Sequence, residues 1–104
     1  MKATILHPRC SKSRAALALV REAGAEVRVV DYLADPPSRD GLARLAARAD
    51  LSPRDLLRRD ARVPDGADPL AAIAADPSLL ERPLVETERG VRLCRPPERV
   101  REIL

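Results

Sequence analysis

Two short β-branched runs, "ATIL" at residues 3–6 and "EVRVV" at 26–30, enclose the stretch "SKSRAALALVREAG" at 11–24, and this arrangement restricts the fold more than any other feature. Within the middle stretch Ala16, Leu19, Val20 and Ala23 recur at helical spacing, and Gly24 supplies a stop. Strand, helix and strand inside thirty residues leave no room for a chain reversal other than a crossover. The two strands must then lie parallel, with the helix against one face of their sheet.

Proline punctuates the chain beyond the second strand. Pro36 and Pro37 forbid a helix directly after it, and Ser38 then caps one that turns Leu42, Leu45, Ala46 and Ala49 inward. Ser52 and Pro53 repeat the device and predict a helix through "SPRDLLRR", while Asp68 opens and Pro77 closes a third in "DPLAAIAADP". The period then changes to two. "RPLVETERGVRLCRPP" predicts strands at Leu84 to Thr87 and Val91 to Cys94 joined by a turn at Glu88, Arg89 and Gly90. A closing helix in "PPERVREIL" buries Val100, Ile103 and Leu104. The expectation is an α/β fold, a mixed four-stranded sheet in the order β-α-β, helical segment, β-β-α, with helices packed on it. At 104 residues the chain is read as one domain, 1–104, with a helical insertion at about 38–76. Tyr32 is its one aromatic residue, so the core has to be built from Leu, Val, Ile and Ala.

Charge excludes more than it suggests. Of 19 basic residues only Lys2 and Lys12 are lysine, which leaves 17 arginines, but 16 acids are interleaved with them and the net charge is only +3. With no basic block and no aromatic platform, a nucleic-acid partner is not expected. No apolar run approaches a membrane span, and the chain opens directly on a strand-like run without a charged-then-apolar leader. A cytoplasmic monomer is the expectation, in a reducing compartment where two cysteines stay free. No metal or bound cofactor is called for.

Position singles out Cys10. It falls between the first strand and the first helix in "HPRCSKSR", where the amides of Ser11, Lys12 and Ser13 should face its sulfur and where Arg9, Lys12 and Arg14 add positive charge. Stabilising a thiolate by roughly 2.7 kcal/mol leaves it largely ionised at neutral pH, which these effects together can supply. Ser13 stands where a C-x-x-C oxidoreductase has its resolving cysteine, so this is a monothiol site that must borrow its second sulfur. Cys94, in an alternating strand, reads as core. A tyrosine-phosphatase-like C-x5-R loop is excluded, since position 16 is Ala.

"HPRCSKSR", "YLADPPSRD", "LSPRDLLRR", "ERPLVETERGVRLCRPPERV" and the terminal "EIL" occur in order over nearly the whole chain, and together they resemble the glutaredoxin-coupled arsenate reductase (ArsC) family, which has a thioredoxin-like fold. The resemblance implies a Cys10 thiolate that attacks arsenate held by three arginines: Arg58 of "LLRR", Arg82 of "ERPL" and Arg95 of "CRPP". Arg59 competes with Arg58 for its place. Such a cradle is chemically apt, because guanidinium forks bind tetrahedral oxyanions bidentately and stabilise their charge. Ser11, Lys12, Ser13, Arg14 and His7 are read as supporting residues, and Pro83 as the cis-proline opposite the cysteine. Glutathione, or an equivalent thiol, and glutaredoxin are the implied co-substrate and partner. The family's His-Asn-Pro is here His7-Pro8, one residue shorter, leaving either His7 or Leu6 at the family's histidine position. The stretch "DARVPDGADP" at 60–69 is also shorter than the family's. Two other readings stay open on the same fold, a redox-sensing regulator of RNA polymerase and a thiol reductase of another electrophile. The presence of Ser13 and all three arginines favours the enzyme over the regulator.

Overall fold

The computed structural model describes residues 1–6 and 10–104. Strand β1 (Lys2–Leu6), helix α1 (Ser11–Glu22) and strand β2 (Glu26–Val30) form the expected crossover, with Lys2 to Leu6 running parallel to Glu26 to Val30 in register. Helix α1 ends where Gly24 takes φ +80°, a left-handed conformation that costs glycine little, and its amide caps the Arg21 carbonyl. Helix α2 (Arg39–Arg48) starts at Ser38, whose hydroxyl accepts the Gly41 amide, and helix α3 (Pro69–Ala75) starts at Asp68, whose carboxylate accepts the amides of Leu70 and Ala71. Strands β3 (Leu84–Thr87) and β4 (Gly90–Leu93) make the hairpin. The mixed sheet has the order β2-β1-β3-β4, with β3 antiparallel to both of its neighbours.

The two-residue period of the strands divides the core in two. Ala3, Ile5 and Val85 face α1 and the C-terminal 3-10 helix Pro97–Ile103, together with Ala16, Val20, Cys94, Val100 and Ile103. Leu6, Leu84 and Val91 face the opposite side, against Leu42, Leu45, Leu56, Leu70, Ile73, Leu80 and Tyr32. Each fully buried leucine contributes about 1.5–3 kcal/mol, which is how a core with a single aromatic ring can hold. Glu86, on the α2 side of β3, receives both Arg44 and Arg48 and ties that helix to the sheet.

Four details depart from the sequence expectations. "SPRDLLRR" is not a helix but a single 3-10 turn, Pro53–Leu56. Leu57 turns extended and bridges Leu80, with the Arg58 amide bonded to the Leu79 carbonyl at 2.8 Å and the Glu81 amide to the Leu56 carbonyl at 2.7 Å. Those long-range bonds, with Leu56 and Leu80 fully buried, outcompete a second helical turn. On α1 the buried face is Ser13, Ala16 and Val20, whereas Leu19 is half-buried and Ala23 exposed. Strand β4 begins one residue early, so the hairpin turn is Glu88 and Arg89 alone, and Gly90 already pairs with Thr87. Leu104 is half-buried, and the closing segment is a 3-10 helix.

Candidate active site

Register brings distant residues to one end of the sheet. Leu6 at the end of β1 pairs with Leu84 at the start of β3, and Leu84 pairs with Leu93 at the end of β4. The chain therefore leaves β1 toward Cys10, enters β3 from Arg82 and leaves β4 toward Arg95 at the same edge. The Cys94 amide donates to the Pro83 carbonyl at 2.8 Å, and Nη1 of Arg95 donates to the Arg82 carbonyl at 3.0 Å. Both prolines that come after these arginines, Pro83 and Pro96, have cis peptide bonds. The Leu57–Leu80 bridge delivers Arg58 from the helical segment to the same place.

Cys10, Arg58, Arg82 and Arg95 line one cavity of about 350 Å³, with Ser11, Lys12, Arg59, Asp60 and Glu81 completing its walls. Cys10 is itself the N-cap of α1: its sulfur accepts the Ser13 amide at 3.4 Å and lies 2.9 Å from the Ser13 hydroxyl. Burial pushes the thiol up, but the Ser13 hydroxyl and amide and the Arg82 guanidinium outweigh burial and hold the thiol below its ordinary value. Arg82 is fixed from behind by Tyr32, whose phenolic oxygen accepts its Nη1 at 3.5 Å. Arg58 is steadied by Asp60 at 3.5 Å, and Arg95 by Glu81 at 3.4 Å. Such an arrangement can hold an oxyanion against a thiolate, with guanidinium charge placed where negative charge would develop during attack.

Of the supporting residues, Ser13 is fully buried beneath the sulfur, while Ser11 and Lys12 are exposed on the cavity rim. Arg14 is exposed on α1 and is absent from the cavity wall among the described residues; its amide makes the first helical bond, to the Cys10 carbonyl at 3.0 Å. His7 lies outside the described residues, and Leu6 is buried in the core with Tyr32, Leu84 and Val91. Cys94 is fully buried, and burial pushes its thiol up to about 12, as expected of a core cysteine. Sequence reasoning missed Tyr32, Asp60 and Glu81. Tyr32 carried the one usable signal, a single phenol in an otherwise aliphatic core.

A mixed sheet of this topology with a cysteine capping its first helix and helices packed on both faces is a thioredoxin-like domain. The chain belongs to the ArsC family, which it matches over residues 6–103. It is 41% identical to an arsenate reductase of Rhizobium meliloti, over the whole of this chain and 82% of that protein. It is 38% identical to an arsenate reductase of Escherichia coli, over 97% of this chain and 79% of that protein. Among solved structures, an arsenate reductase from Vibrio cholerae superposes with a TM-score of 0.90 at 37% identity, over all of this chain and 98% of that one.

Proposed function

We propose that this chain is an arsenate reductase that works with glutathione and glutaredoxin, or an equivalent thiol pair, in the cytoplasm. The observation that supports it is the convergence of Cys10 with Arg58, Arg82 and Arg95 on one cavity. Arsenate lies among the three guanidinium groups, which offset its charge and align the arsenic with the sulfur. The Cys10 thiolate attacks arsenic, an oxygen leaves as water, and a sulfur–arsenic bond forms. Glutathione then attacks the bound arsenic and displaces a second oxygen as water. The glutaredoxin thiolate attacks the sulfur of that glutathione, a glutathione–glutaredoxin disulfide forms as the sulfur–arsenic bond breaks, and its electron pair reduces arsenic(V) to arsenic(III); water then hydrolyses the remaining bond to Cys10, frees arsenite and returns Cys10 as thiolate. With Ser13 in place of a second cysteine, the disulfide must form between the outside thiols.

NADPH oxidation coupled through glutathione reductase, glutathione and glutaredoxin measures the activity directly. Arsenate-dependent turnover is expected in the wild type and absent in Cys10→Ser. Turnover surviving in that variant would reject Cys10 as the nucleophile, and a wild type inert to arsenate but active on another electrophile would reject the substrate.

A further inference from the structure

A cavity suited to anions should have little use for carboxylates, yet Asp60 and Glu81 both line it. Asp60 is unremarkable, because its side chain is 79% exposed and water screens its charge. Glu81 is different: its side chain is only 15% exposed. It accepts the backbone amide of Arg82 at 3.2 Å and faces Nη1 of Arg95 at 3.4 Å. The first contact pins the carboxylate to the backbone beside the cis-proline. The second occupies a guanidinium that stands 39% open to solvent.

We propose that Glu81 is the resting counter-ion of the cradle, a positioning and specificity-determining residue that holds Arg95 until an incoming oxyanion takes its place and that thereby weakens the cavity's grip on anions. This rests on the oxyanion reading above. Glu81 cannot leave with its partner, since the Arg82 amide retains it, so an arriving anion competes with a carboxylate that stays nearby. Among the described residues, Nε and Nη2 of Arg95 have no acceptor and remain available to the arrival. Like charges within a few ångströms in a half-buried cavity repel, and the repulsion opposes binding whether the anion is bound in the ground state or the transition state. The device therefore acts on affinity rather than on the chemical step.

Glu81→Gln tests this, because the amide oxygen can still accept the Arg82 N–H while the charge is gone. Two readings are taken on the full chain. In a Cys10→Ser background, arsenate titrated by calorimetry should bind about fivefold more tightly with E81Q, the scale of one partly exposed ion pair. With Cys10 intact, alkylation by anionic iodoacetate relative to neutral iodoacetamide should rise by a similar factor, a ratio that cancels any change in the thiolate itself. In turnover KM for arsenate falls while kcat holds. A carboxylate that merely braces the loop predicts the reverse, with weaker binding and a higher KM, and that result or an unchanged ratio overturns the proposal. Arsenate failing to bind while the iodoacetate ratio still rises would reject the substrate reading and leave the role of Glu81 standing.

Discussion

Replacing Ser13 by alanine isolates what holds the Cys10 thiol below its ordinary value. The Ser13 side chain is fully buried, and its hydroxyl lies 2.9 Å from the Cys10 sulfur. The substitution removes one oxygen and leaves the amide contact at 3.4 Å and the Arg82 charge in place. A hydrogen bond to an ionised acceptor is worth about 1.5–3 kcal/mol, so the lower end of that range raises the ionisation midpoint of the thiol by about one pH unit. Thiolate absorbance and the pH dependence of iodoacetamide alkylation both report that midpoint. Folding stability carries the same signature with a definite sign. A thiol depressed in the native state contributes stability that is full above its unfolded value and is lost as pH falls through its folded value. Ser13→Ala should therefore destabilise the protein more at mildly alkaline pH than at pH 6, as read from denaturant midpoints. An unmoved midpoint would refute the assignment of the hydroxyl as a donor to sulfur, and a deficit independent of pH would reduce Ser13 to a packing residue.

Arg58→Ala, Arg82→Ala and Arg95→Ala should each lower kcat/KM for arsenate by roughly tenfold or more. Arg44→Ala, whose partner Glu86 lies on the α2 side of the sheet outside the Cys10 cavity, should leave it unchanged; equal losses at all four sites would mean that bulk charge is responsible. Native protein at neutral pH should take up one equivalent of a thiol reagent and denatured protein two, because burial pushes Cys94 up to about 12. Two equivalents in the native state would contradict that burial. Glu86→Gln should cost about 1 kcal/mol at pH 7. Arg44 and Arg48 hold the Glu86 carboxylate below its ordinary value, so its contribution is present above the unfolded value and fades as pH falls through the folded one. The variant's deficit should shrink accordingly in acid, as followed by thermal melting.

Local signals accounted for most of the fold. A serine or aspartate before a proline or a helical run located α2 and α3, and the alternation around Glu88 and Arg89 located the hairpin to within a residue, because caps and turns are decided by the few residues that make them. The miss at "SPRDLLRR" has the opposite cause. Ser52 and Asp55 form a capping box there and Pro53 comes next to the cap, so every nearby residue agrees on a helix. What stops it is the backbone of Leu79 to Glu81, more than twenty residues further on, which no local window contains.

That same bridge decides how far the candidate site could be read. Cys10 was legible because a strand-to-helix junction is a local feature, whereas Arg82 and Arg95, which the hairpin alone marks only as strand-end charges, were reached through the family resemblance. Arg58 was likewise reachable only through its resemblance to a family motif, since as a helical residue it would have been one of many solvated arginines. The bridge takes it out of the helix and sets it beside Cys10 on the cavity wall. Glu81 escaped for a related reason: its neighbours in sequence mark it as a strand-end charge, and only the return of β4 brings Arg95 against it. Residues whose roles depend on pairing between remote segments are those that sequence pattern leaves undistinguished, and in this protein they include Arg58 and Glu81, one from each side of the Leu57–Leu80 bridge.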